Sequence, residues 1–129
     1  MTQFSATLME HFQAPLNRHP LDAPDGVGLI GTPGQGMFFK LYLNVAGGFV
    51  EDAGYECNGC GVTVACGSAL TEHITGRSLD ECQGMDADVI AGLLDGIPKH
   101  KSYCAEFAAK ALFAALMDVT ESLHGVHRG

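Results

Sequence analysis

The chain has 129 residues, enough for one domain with a core of useful size. Its composition is 47% hydrophobic and 17% charged, which excludes a disordered chain. A net charge of −8 without any basic run excludes a nucleic-acid backbone as partner, and no apolar stretch approaches the roughly 20 residues of a membrane span.

Residues 5–13 read as a helix: Ser5 can cap it, Leu8, Met9 and Phe12 share a face, and Pro15 ends it. Residues 14–36 are rich in Pro, Gly and Asp and read as loop, with a short strand near Gly28-Leu29-Ile30. Residues 37–45 alternate as a strand, so one of Phe38 and Phe39 should point outward. Ala46-Gly47-Gly48 turns the chain, and Phe49 to Cys57 returns as a strand with Ala53, Tyr55 and Cys57 on one face. Helices follow over 61–75, with Gly76 as its stop, and over 86–95, with Asp86 as its cap. The last and longest runs from about Ser102 to His124, with Cys104, Ala108, Ala111, Leu112, Ala115, Val119 and Leu123 at helical spacing. Residues 125–129 are expected to fray. This order predicts a single α+β domain over 1–129, with its core at about 4–124: a small three-stranded antiparallel sheet with helices packed on one face.

The N-terminus lacks the basic segment and apolar run of a secretory leader, so a cytoplasmic, reducing setting is expected. Five cysteines in such a setting argue against a disulfide framework and for free, buried or metal-bound thiols. Three of them fall in Cys57-Asn58-Gly59-Cys60-Gly61-Val62-Thr63-Val64-Ala65-Cys66. Cys60 stands at a strand-to-helix turn and Cys104 in the first turn of the last helix. Helix N-termini carry partial positive charge, which favours the thiolate that binds metal or attacks sulfur. Glycines on both sides of Cys60 allow a tight turn and close approach.

The remaining thiols and imidazoles divide between site and core. Cys57 is either a small buried hydrophobe or a ligand, since Cys-x-x-Cys-Gly resembles a zinc-knuckle turn. Cys66, on an Ala/Val/Leu-rich helix, reads as core with a ligand role open, and Cys82 reads as core. His100, four residues before Cys104, could swing into a site. His11 and His73 read as surface or capping residues, and His124 and His127 belong to the tail.

Several segments together are similar to the scaffold family for iron–sulfur cluster assembly, of NifU N-terminal or IscU type. They are Leu8-Met9-Glu10-His11-Phe12, Lys40-Leu41, Val50-Glu51-Asp52-Ala53, Gly59-Cys60-Gly61, Ser68-Ala69-Leu70-Thr71-Glu72, and Tyr103-Cys104 with Ala108-Ala109-Lys110-Ala111-Leu112. The resemblance spans residues 4 to 117 and implies the α+β fold read above. It implies a site of three cysteines, an aspartate and a histidine that holds iron, a [2Fe–2S] cluster or, alternatively, zinc. It implies sulfur from a cysteine desulfurase and delivery to apo iron–sulfur proteins, by a scaffold or carrier and not an enzyme.

Carried over by position, two of those cysteines are Cys60 and Cys104. The other three site positions are altered: Gln35 for the first cysteine, Met37 for the aspartate and Tyr103 for the histidine. Two thiolates fall short of the four ligands of a closed cluster site. A relocated set of Cys57, Cys60 and Cys104, with Cys66 or His100 as fourth, is one way to restore them. The segment expected to meet an Hsp70-type chaperone reads Ile97-Pro98-Lys99-His100-Lys101, with one proline lost and a charge gained, which weakens that expectation. Two other readings stay open: a degenerate scaffold that docks or regulates with structural zinc or no metal, and a dithiol redox or sulfur-transfer protein using Cys57 and Cys60.

Overall fold

The computed structural model describes residues 4–123; the expected tail, with His124 and His127, lies outside them. Helix α1 (Ala6–Gln13) begins where the Ser5 hydroxyl accepts the Leu8 N–H at 2.9 Å. The same Ser5 hydroxyl donates to the Leu94 carbonyl, and Thr7 donates to the Asp95 carboxylate, so the start of α1 is fastened to the turn at Leu94-Asp95.

Strands β1 (Gly26–Gly31), β2 (Phe38–Ala46) and β3 (Phe49–Asn58) form an antiparallel sheet in the order β1-β2-β3. Ile30 pairs with Phe39, and Phe39 with Cys57; Gly28 pairs with Leu41, and Leu41 with Tyr55. Directly paired residues share a face, so these side chains line the side that meets the helices. Phe39 is fully buried there and its ring stacks on Tyr55 at 5.5 Å, whereas Phe38 is half-buried on the other side.

The first strand is longer than its sequence suggests. Glycine is a poor strand former, so Gly26-Val27 reads as loop and the strand is expected only near Gly28-Leu29-Ile30. The structure supplies the reason for glycine: a Cβ on Gly28 would stand 2.0 Å from the Ala111 carbonyl oxygen, because α5 (Ser102–Leu123) lies directly against β1.

Helix α2 (Gly61–Ile74) is buried on nearly every side, packed by β3, α1, α4 (Ala87–Leu93) and α5. Its buried side chains are small or apolar apart from Thr63, Ser68 and Thr71, and they run round most of the helix, which suits a central one. Tyr55 anchors it by donating its hydroxyl to the Val64 carbonyl at 2.8 Å. A four-residue helix, α3 (Leu79–Cys82), was not expected from the sequence. It exists because Ser78 and Glu81 form a capping box and Cys82 is buried as a core residue. Helix α4 ends earlier than the predicted residue 95, where Asp95 and Gly96 take the left-handed conformation.

His11 departs from the surface role expected of it. It is half-buried, its Nδ1 shares a hydrogen bond with the Ser68 hydroxyl at 2.7 Å, and its Nε2 lies 3.8 Å from the Glu72 carboxylate. Ser68 is fully buried in α2 and also accepts the Leu16 N–H, so His11 and Leu16 together satisfy a buried hydroxyl.

Candidate thiol site

Cys60 is the residue that precedes α2, in extended conformation, and Cys104 is the third residue of α5. The packing of α2 against α5 brings their sulfurs to 3.7 Å. Beside both stands Thr63, fully buried, whose hydroxyl donates to the Cys104 sulfur at 3.2 Å and lies 3.9 Å from that of Cys60.

The two thiols have different electrostatic settings. Partial burial of Cys60 resists ionisation, but the N–H groups of Thr63 and Val62 and contacts with Cys104 and the Thr63 hydroxyl outweigh it. The Cys60 pKa falls to about 7. Cys104 is fully enclosed, and its burial pushes its pKa above the usual thiol range despite the Thr63 hydrogen bond. The pair therefore offers one thiolate near neutral pH and one protonated thiol behind it.

Cys60 opens on one wall of a cavity of about 240 Å³ formed with Phe4, Leu8, Met9, Phe12 and Val62. Lys101 closes the rim, and its pKa is raised by the neighbouring charges of Cys60 first and then Tyr103. Gly61 lets α1 approach: a Cβ there would stand 2.7 Å from the Phe12 ring.

The other sequence candidates are placed as follows. Cys57 is half-buried on the helix-facing side of β3, and burial raises its pKa against the opposing influence of Arg18. Cys66 is fully buried in α2, and burial, then the neighbouring Cys104 and Cys60, raises its pKa. His100 is exposed, in the 3-10 turn Lys99–Lys101 ahead of α5. Gln35 is exposed in the β1–β2 loop, Met37 packs partly against the core, and Tyr103 is 41% exposed. The Asn58 amide donates to the Gly36 carbonyl at 3.0 Å, which ties the loop of Gln35 and Met37 to the turn before Cys60.

Among the described residues, no group of three or more His, Cys, Asp or Glu converges in a way that could hold a metal ion. What converges is the pair. Sulfurs bound at about 2.3 Å in a tetrahedron stand about 3.8 Å apart, so the separation of Cys60 and Cys104 matches one edge of such a site. The spacing of the pair is thus compatible with two corners of a tetrahedral site, and among the described residues no third or fourth donor of these types joins them. Sequence reasoning missed Thr63, Lys101 and the α1 wall. Thr63 carried a signal, since the third residue of a helix faces back toward the residue that caps it.

The profile of the NifU-like N terminal domain matches residues 3–123. The chain belongs to this family. Its relatives include the iron-sulfur cluster assembly scaffold protein IscU 1 of Archaeoglobus fulgidus, 34% identical over 115 residues, covering 89% of this chain and 75% of that protein. The scaffold protein IscU of Escherichia coli strain K12 is 35% identical over 119 residues, covering 89% and 92%. The fold is shared with a NifU-like N-terminal protein from Brucella abortus at a TM-score of 0.72, with 17% identity over 91% of this chain and 94% of the other. It is shared too with an assembly scaffold for the SUF system from Fervidobacterium islandicum AW-1 at 0.69, with 20% identity over 88% and 96%. The NifU-like elements and the α+β architecture read from the sequence are those of the structure. No described helix is long and apolar enough to cross a membrane.

Proposed function

We propose that this protein works in iron–sulfur cluster assembly as a scaffold or carrier, with Cys60 and Cys104 as its working residues. The observation that carries the reading is the 3.7 Å thiol pair at the start of α2 and α5, in a chain with named scaffold proteins among its relatives. Cys60 is the accessible thiolate, suited to take sulfur from a cysteine desulfurase. Together the two sulfurs hold iron at two corners, and sulfide or a donor from a partner fills the others. The cluster is cargo, passed on to apo iron–sulfur proteins, and the protein is not a turnover catalyst of its formation. Zinc would occupy the same two corners. The setting is a reducing, cytoplasmic one, where both thiols stay free.

A second reading is favoured by a specific observation: Gln35, Met37 and Tyr103 supply no carboxylate, imidazole or thiolate near the pair. In that reading the fold docks on the desulfurase and regulates it, with structural zinc or no metal.

The deciding measurement is iron, zinc and acid-labile sulfide, with an absorption spectrum, on protein purified without oxygen. Iron with sulfide and visible charge-transfer bands, lost in Cys60→Ser, supports the scaffold. A colourless protein without iron, which still captures desulfurase when Cys60 and Cys104 are both serine, refutes it in favour of docking.

A further inference from the structure

The two sulfurs of the site are in contact, and no third donor among the described residues holds them apart around a metal. Their surroundings are unequal. Cys60 faces the cavity and can be reached by a donor. Cys104 is enclosed, with the Thr63 hydroxyl on its sulfur, and contacts Cys60 directly. A half-buried nucleophile that faces a cavity, backed by a buried thiol at contact distance, is the arrangement of a dithiol that resolves an adduct on its own partner.

We propose that Cys60 and Cys104 together reduce incoming sulfane sulfur to sulfide: Cys60 accepts it from a persulfide donor, and Cys104 then displaces it by closing a Cys60–Cys104 disulfide. The proposal rests on the reading that Cys60 accepts sulfur, and it adds the step by which the chain itself releases that sulfur.

In the first step the Cys60 thiolate attacks the terminal sulfur of a persulfide, R–S–SH. The bond between the two donor sulfurs breaks, its electron pair leaves as R–S⁻, and Cys60 becomes Cys60–S–SH. In the second step the Cys104 sulfur attacks the Cys60 sulfur itself. The bond from Cys60 to the outer sulfur breaks, and its electron pair leaves with HS⁻. The proton lost by Cys104 joins it to give H₂S. Two thiols have been oxidised by two electrons in all, and one sulfane sulfur has been reduced to sulfide. A dithiol reductant then reopens the disulfide.

The geometry suits the second step. The sulfurs must close from 3.7 Å to about 2.04 Å, a movement within the reach of side-chain rotation at the half-buried Cys60. Thr63 can stabilise Cys104 as it loses its proton, through the hydrogen bond it already makes. The Cys57–Cys60 pair, which the C-x-x-C spacing suggests as a dithiol, is a weaker candidate. Cys57 pairs across the sheet with Phe39, and among the described residues the thiol in contact with Cys60 is Cys104.

The test is a single turnover of the reduced full-length protein with glutathione persulfide, quenched in acid. It reads intact mass, disulfide mapping and released sulfide. Wild type should lose the mass of two hydrogens, carry a Cys60–Cys104 disulfide and release one equivalent of sulfide. Cys104→Ser should instead gain the mass of one sulfur and release none, and Cys57→Ser should behave as wild type. Wild type that keeps the added sulfur, or that closes Cys57 with Cys60, overturns the proposal while leaving sulfur acceptance standing. Neither added sulfur on Cys104→Ser nor sulfide from wild type would overturn the acceptance reading as well. If Cys104→Ser fails to fold, the mass, disulfide map and sulfide yield of wild type decide the proposal.

Discussion

Gly28→Ala tests whether α5 is seated by glycine in β1. The added methyl would meet the Ala111 carbonyl oxygen at 2.0 Å and the Ala115 nitrogen at 2.6 Å, both backbone atoms of α5. No side chain can rotate away, so α5 must retreat by about 1.4 Å to restore an ordinary contact. Overpacking of this kind costs up to about 3 kcal/mol, and the lower chain entropy of alanine in the unfolded state offsets about 0.5–1 kcal/mol. A net loss of about 2 kcal/mol, roughly 10 °C in Tm, is expected for a domain of this size. Gly92→Ala is the matched control. That residue is exposed near the end of α4 with nothing near its Cβ position, so alanine should raise stability by about 0.5 kcal/mol through helix propensity. Urea unfolding of the parent and both variants, fitted with a common m-value, measures the difference. Equal midpoints for Gly28→Ala and the parent would refute the seating argument, because they would mean that α5 shifts without cost.

Two further expectations concern pH. Alkylation of Cys60 by iodoacetamide should rise with pH and reach half its plateau near pH 7, while Cys104 stays unreactive in the folded protein; peptide mapping of the modified thiols checks this, and a Cys60 midpoint near 9 would contradict the assigned surroundings. Global stability should fall as pH rises above about 9, because Cys57, Cys66, Cys82 and Cys104 have pKa values raised by burial and ionise first in the unfolded chain, as does Tyr42, held up to about 12 by burial and Glu56. Cys60 acts in the opposite sense, its stabilisation present above the unfolded pKa and lost as pH falls through about 7, so a urea midpoint at pH 10 equal to that at pH 8, both with reductant, would refute the balance.

The sequence was most legible where local chemistry and packing agree. Ser5 caps α1 as its position suggested, the Gly47-Gly48 turn joins β2 to β3, and the apolar stripe of α5 is buried from Cys104 to Val119. It was least legible where a residue answers to something distant in the chain. Gly26 looks like loop, and Gly28 like the start of a short strand, until the helix some 85 residues later is laid on them. His11 looks like surface until the Ser68 hydroxyl needs a partner. At the site, the helix-terminal positions of Cys60 and Cys104 could be read from local pattern and resemblance, but their contact depends on how α2 crosses α5. The same crossing buries Cys66 and brings the Thr63 hydroxyl onto the Cys104 sulfur.

The start of α2 has a consequence of its own. Cys60 stands where a helix calls for a hydroxyl or carboxylate, and its sulfur meets the Val62 and Thr63 N–H groups less closely than an oxygen cap would. Serine or aspartate there would hold the first turn more firmly, by about 1 kcal/mol. The thiol at this position therefore stands at a local loss of stability in the first turn of α2. What the backbone favours here and what the chemistry of the site needs are different side chains.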